Sequence, residues 1–220
     1  MKYYHMTSLD RLDSISKEGL TPRNEDNSKL INDQKVKVFF SEGFEGVVAL
    51  YVDFDLVYQQ IKSKELVLDN KELEEKILVS SNLNDYLKEG VYLEFDGDDI
   101  KNERNFENGC TSKIIPPEDL RVCVLSDEEN TVTYSRFEII KYMMSKTDPE
   151  DIKYYGVKYE GSPNFDAATQ RIKGKIKNYY ANHQEEINDF KKNNYQLNSI
   201  PLEEFMNDYY KVDSKQIKKR

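Results

Sequence analysis

The stretch KYYHMTSLDRLDSISKEGLTP, residues 2–22, decides how the rest of the chain is read. Residues 2–6 (KYYHM) are β-prone, and a short helix is expected directly after them. Thr7 or Ser8 can cap that helix, Asp10 falls in its favourable first turn, and Leu9, Leu12 and Ile15 recur at helical spacing. Gly19 is placed to close it as the residue after the C-cap, and Thr21-Pro22 prevents its continuation.

Outward from this unit, residues 23–34 read as an exposed polar loop. Val36, Val38, Phe39 and Phe40 then form a buried-strand signal ending at Ser41-Glu42-Gly43. Phe44, Val47, Val48 and Tyr51 follow at i, i+3, i+4 and i+7, one face of a helix. Residues 71–88 predict one or two charged surface helices, and Val91-Tyr92-Leu93-Glu94-Phe95 predicts a strand. Asp96 to Gly109 is an acidic, Asn-rich loop whose length marks it as a functional candidate. Strands are expected near Cys110–Ile115 and at Leu120–Leu125, separated by Pro116-Pro117.

After about residue 134 the composition becomes helical. Residues 135–145 predict one helix, and Pro149 can start another. Ala168, Ile172, Ile176, Tyr179, His183, Ile187 and Phe190 line one stripe of a long amphipathic helix; this stripe, through 166–192, permits oligomerisation. A last helix is expected over about 201–211, before a basic tail at Lys215–Arg220. The expected organisation is α+β: a mixed region over residues 1–134, then a helical region over 135–220.

With 220 residues and 38% hydrophobic content, the chain can bury a sizeable core, to which 16 Tyr and 10 Phe contribute in the absence of Trp. A net charge of −9 argues against a protein that coats DNA through a basic face. Two cysteines, Cys110 and Cys123, are too few for a disulfide scaffold and have no metal-knuckle spacing. No phosphate-loop, dinucleotide, nucleophile-elbow or zinc-protease motif occurs. No metal site is expected, and without a signal-peptide core or an apolar run of membrane-spanning length the chain is expected to be cytoplasmic and free of membrane.

Of the two histidines, His183 falls on the apolar stripe and reads as a packing residue. His5 ends the first strand just before a helix cap, where side chains commonly point into a cleft. The segment Tyr3–Leu9 with Ile15–Pro22 (ISKEGLTP) resembles the opening of the ADP-ribosyltransferase superfamily, a strand ending in His-x-Thr or His-x-Ser and a short helix closing at Gly-Leu. Lys37–Glu42 (KVFFSE) with the helix reaching Tyr51 is similar to that family's G-(I/V)-Y-F-(A/S) block. Ile115–Leu120 (IPPEDL) is similar to its I-P-P-E-x-(I/L) turn. The resemblance spans about residues 2–125 and takes in both the poly(ADP-ribose) polymerase-like and the RNA 2′-phosphotransferase-like branches.

The resemblance implies a split, bent β-sheet that binds NAD, as substrate, in a cleft between two half-sheets. It gives His5 a hydrogen bond to the ribose carrying nicotinamide, Thr7 a contact to the adenosine ribose, and the backbone of Met6 the nicotinamide amide. Tyr51 takes the place of the tyrosine that stacks on nicotinamide, and Ser41 or Glu42 lines the same wall. Phe39 stands where the family's strand tyrosine would be, keeping the ring without its hydroxyl. The catalytic carboxylate is assigned to Glu107, with Glu103 second; Glu118 reads as a solvated turn residue, and Glu94 as a strand residue of undecided face. For the phosphotransferase branch, which uses arginines, Arg11 and Arg23 are the candidates.

The implied function is a glycosyl transfer: NAD-dependent transfer of ADP-ribose to a protein or nucleic-acid acceptor with release of nicotinamide, as in small toxin-like bacterial transferases. The alternative is an inactive protein on the same fold that serves as a nucleotide-binding or protein-interaction module.

Overall fold

A computed structural model describes residues 1–22, 37–87, 89–98, 100, 108–129, 132–152 and 165–210, with the backbone alone at 108 and 165–172. The strands are β1 (Lys2–Ser8), β2 (Val38–Glu42), β3 (Gly90–Asp96), β4 (Asn108–Thr111), β5 (Arg121–Ser126), β6 (Val132–Thr133) and β7 (Gln196–Pro201). The helices are α1 (Leu12–Glu18), α2 (Gly43–Lys62), α3 (Lys71–Val79), α4 (Leu83–Leu87), α5 (Arg136–Lys146), α6 (Phe165–Asn182), α7 (Gln184–Lys192) and α8 (Leu202–Phe205). The chain is an α+β protein built on a seven-stranded sheet in the order β4-β2-β1-β3-β5-β6, with β7 paired to β5. All described pairings are antiparallel.

The opening unit forms as its pattern dictates. A 3₁₀ turn, Leu9–Arg11, intervenes between β1 and α1, and the Ser8 hydroxyl bonds the Asp10 carboxylate rather than a backbone amide. Gly19 closes α1 at φ 73°, a conformation that side chains with a Cβ avoid. Its neighbour Leu20 makes a two-way backbone bridge with Ile115, at 2.9 and 3.1 Å, fastening α1 to the segment after β4.

Strand alternation sends side chains to two covered faces. Tyr3, Val38, Phe40, Val91, Leu93, Phe95, Val122 and Val124 meet α1 and α8 through Leu12, Ile15, Leu202 and Phe205. Tyr4, Tyr92, Cys123 and Leu125 meet α2, α5, α6 and α7 through Val48, Val52, Ile139, Met143, Ile176, Tyr179 and Phe190. Residues from either side of position 134 therefore share one core.

Three expectations are corrected here. The long stripe does not lie on one helix: His183 breaks the helical path between α6 and α7, at φ −109° and ψ 18°. Its described apolar members are buried inside the chain's own core. Pro149 sits in a turn and starts no helix. The region after 134 is not purely helical, because β7 lies along the whole of β5; the final expected helix is a single α-turn followed by a π-helical turn, Met206–Tyr210.

Candidate functional site: a gap in the sheet beside His5

Pairing between β1 and β2 consists of Tyr3 opposite Glu42 and Tyr4 opposite Ser41. Both strands continue past it, β1 to Ser8 and β2 back to Val38, without pairing to each other. On their outer sides both stay fully paired, β1 with β3 and β2 with β4. The sheet thus opens between β1 and β2.

His5 stands where the opening begins. Its Nδ1 lies 2.7 Å from the carbonyl oxygen of Phe39 across the gap. A carbonyl only accepts, so Nδ1 carries the proton and Nε2 is left with a lone pair as an acceptor. Burial holds the imidazole below its ordinary pKa; the Phe39 carbonyl opposes this, and the charge of Arg11 adds to it. His5 is therefore neutral at pH 7, with Nε2 able to accept a hydroxyl proton.

Backbone alternation identifies what else faces the opening. The Met1 carbonyl accepts from Gly97 at 2.8 Å, and the Leu9 amide donates to the Glu89 carbonyl at 3.2 Å, both on the β3 side. Odd-numbered residues of β1 thus direct their backbone groups to β3, and even-numbered ones to β2. Tyr4 uses its position to pair with Ser41, and the N–H and C=O of Met6, two residues on, face the gap. Thr7 is buried on the same sheet face as His5, whereas Phe39 and Ser41 share with Tyr4 the face covered by α2 and α5.

Tyr51 of α2 is half-buried against the core cluster on that face. Its hydroxyl lies 3.5 Å from Asn84 Oδ1 in α4. Burial pushes its pKa up to about 12, with the Asp55 carboxylate adding to the rise and Tyr179 and Arg136 opposing it. The structure brings His5, Met6, Thr7, Phe39 and Ser41 to the two strands around the gap, whereas Tyr51 lies on α2 with its hydroxyl turned to Asn84. His5 and Tyr51 lie on opposite faces.

The acidic candidates separate. Glu107 and Glu103 lie outside the described residues, as do Arg23, the 23–34 loop and most of the Asp96–Gly109 loop. Glu118 is exposed in a 3₁₀ turn, Pro117–Asp119. Glu94 lies on the same face as Tyr4, buried, with Lys2 Nζ at 2.6 Å and Ser199 Oγ at 3.0 Å bonding it. Arg121 in turn donates to Ser199 at 2.9 Å. With these donors Glu94 ties β1, β3 and β7 together and is spent on structure. Neither Ser199 nor Lys2 is adjacent to it in sequence, so its face could not be read from the strand pattern.

Among the described residues no group of three or more acidic, histidine or cysteine side chains could hold a metal ion, and no helix is long and apolar enough to cross a membrane. A polar cavity of about 580 Å³, lined by residues including Ser126, Glu128, Lys146, Lys191 and Gln196, shares no lining residue with the gap. Set against protein-family models, curated proteins and solved structures, the chain matches none.

Proposed function

We propose that the gap between β1 and β2 binds NAD and that the chain is an ADP-ribosyltransferase, with β4–β2 and β1–β3–β5–β7 as the two half-sheets. The observation that carries this reading is the His5 ring, locked by the Phe39 carbonyl with Nε2 left as an acceptor beside an open strand edge. A ribose hydroxyl is the donor that Nε2 suits. The Met6 N–H and C=O, facing the gap together, match a carboxamide, which offers one acceptor and one donor in return.

In the reaction, the bond between ribose C1 and the nicotinamide nitrogen breaks and its electron pair leaves with nicotinamide. An acceptor nucleophile supplies the new pair to C1 and loses its proton to a carboxylate, for which Glu107 is proposed. His5 orients the ribose, Met6 and Tyr51 hold the leaving ring, and Phe39 and Ser41 line the wall. Orientation of this kind, with a carboxylate near the positive ribose, supplies the rate enhancement. The acceptor is a protein or nucleic acid.

Two observations favour a second reading, a nucleotide-binding or interaction module without turnover. Phe39 lacks a hydroxyl, and the described buried glutamate near the first strands, Glu94, is held by Lys2 and Ser199. Nicotinamide release from NAD, together with NAD-dependent thermal stabilisation, separates the two. Release that needs His5 and Glu107 supports the transferase; stabilisation without release supports a nucleotide-binding module; the absence of both signals rules out NAD binding and supports the interaction module.

A further inference from the structure

The sheet has an open edge along β7. Among the described residues β7 pairs with β5 alone, and no strand lies on its other side. The register shows which of its backbone groups face outward. The Leu202 N–H donates to the Leu120 carbonyl at 2.9 Å, so these two form a hydrogen-bonded pair just beyond Arg121 opposite Pro201. Bonding alternates along an antiparallel ladder. Gln196, Asn198 and Ile200 therefore turn their N–H and C=O to β5, and Leu197, Ser199 and Pro201 turn theirs away. Proline has no N–H, so the outward donors are those of Leu197 and Ser199. The Arg121 guanidinium meets the Ser199 carbonyl, which keeps a second lone pair.

An edge of this kind is a template for another strand, and proteins guard such edges with lysines, bulges or short length. The other margins of the sheet are short, with four residues in β4 and two in β6. β7 has six residues in unbroken register with β5, and from Asn193 to Leu202 the chain carries no charged side chain. What flanks this neutral stretch identifies the occupant. Lys191 and Lys192 precede it and Glu203 and Glu204 follow it, all four exposed. Acids near the lysine end have partners of their own: Asp189 lies 3.8 Å from Lys192, and Glu128 accepts from Asn194 at 2.6 Å. Two copies of β7 related by a two-fold axis run antiparallel, so the lysine end of each lies at the glutamate end of the other. At a net charge of −9 two copies repel, and a neutral edge with opposite charges at its ends relieves that repulsion.

We propose that β7 pairs edge to edge with β7 of a second copy of this chain, joining the two sheets into one. With the two-fold axis at Asn198, Leu197 of each copy faces Ser199 of the other, and each such pair exchanges its N–H and C=O groups. Asn198 then lies opposite Asn198, with the Cβ atoms about 5 Å apart. The association expected of the 166–192 stripe thus moves to a strand, because the described apolar members of that stripe lie inside the core. The proposal is independent of the NAD reading.

The test is sedimentation velocity of the full chain from about 1 to 300 μM, a range that brackets a weak dimer. A paired edge of six residues is a small interface, so the dimer should dissociate reversibly at about 10–100 μM. Asn198 is exposed, with one side-chain bond to Ser126 Oγ at 3.2 Å, so replacing it should leave the fold intact, which a thermal melt verifies. Asn198→Lys and Asn198→Asp each set like charges face to face and should raise the dissociation constant at least about tenfold. Mixing the two variants sets opposite charges there and should restore association. Lys192→Glu and Glu204→Lys should each weaken the dimer and, combined in one chain, recover it, which covers an Asn198 variant that does not fold. A wild-type chain that is monomeric throughout the range overturns the proposal and leaves the edge to water or to a different chain. A dimer whose dissociation constant is unchanged in both Asn198 variants, or in both charge reversals, overturns it as well.

Discussion

Replacing Glu94 by Ala measures directly what the buried carboxylate does. It removes the acceptor of two groups: the Lys2 ammonium at 2.6 Å and the Ser199 hydroxyl at 3.0 Å. The Lys2 side chain is 63% exposed, so water and salt replace most of its interaction, leaving at most about 1 kcal/mol. Ser199 is half-buried and keeps Arg121 as a donor, so its loss is smaller, about 0.5–1 kcal/mol. The sum is about 0.5–2 kcal/mol, which for a chain of this size lowers Tm by about 1–8 °C. Glu94→Gln retains one acceptor oxygen and should lose less than half of that, and Lys2→Ala at most about 1 kcal/mol. Urea denaturation read by circular dichroism gives the three values, with an unchanged m-value showing that the unfolded state is not the cause. A Glu94→Ala protein as stable as wild type would refute the reasoning. So would a Glu94→Gln protein that keeps its stability but loses nicotinamide release by a hundredfold, because that result would make Glu94 the missing carboxylate.

Gly19→Ala places a methyl group 2.2 Å from the Ile115 carbonyl oxygen at a backbone φ of 73°. The Leu20–Ile115 bridge must open, and a loss of about 2–4 kcal/mol should appear in thermal melts; a change under about 0.5 kcal/mol would contradict the geometry. Burial lifts the Asp53 carboxyl from 3.8 to about 6, Lys175 only partly opposing it. The folded state therefore binds the proton more tightly, and stability is lost as pH climbs from 3.8 through 6. Asp53→Asn should melt above wild type at pH 8, by about 1–2 kcal/mol in stability, and coincide with it below pH 4; parallel curves at all pH would overturn this. His5 is depressed below 6.5, so its neutral form persists over a wider acid range and its contribution to stability weakens only as pH falls below that value. Nicotinamide release should accordingly be flat through pH 7 and fall well below pH 6.5, and a break at pH 7 or above would show that a different group titrates.

The opening unit was legible because each local signal agrees with the next. KYYHM alternates across a sheet buried on both faces, Leu12 and Ile15 fall one helical turn apart, and Gly19 occupies the positive-φ position that its type permits. The strands at 38–42, 90–96 and 121–126 were legible for the same reason, as compact β-branched and aromatic runs. β7 was not: QLNSIP is at most half-buried along its length and carries no apolar alternation, its place being set by pairing with the whole of β5. The break at His183 was hidden because the apolar spacing continues through it, and the Tyr179–His183 stack, not propensity, accompanies the change of direction. His5 stood out by position, but the tautomer that gives it a role depends on the Phe39 carbonyl, which the register of β1 and β2 supplies.

The most direct measurement is nicotinamide release from NAD by the purified chain beside His5→Ala, with NAD-dependent thermal shift recorded on both. The account predicts release and stabilisation by the wild type, and a folded His5→Ala protein, with a Tm near wild type, that has lost the release. A His5→Ala protein that cleaves NAD at the wild-type rate, or a wild type that shows neither stabilisation nor release, would contradict it.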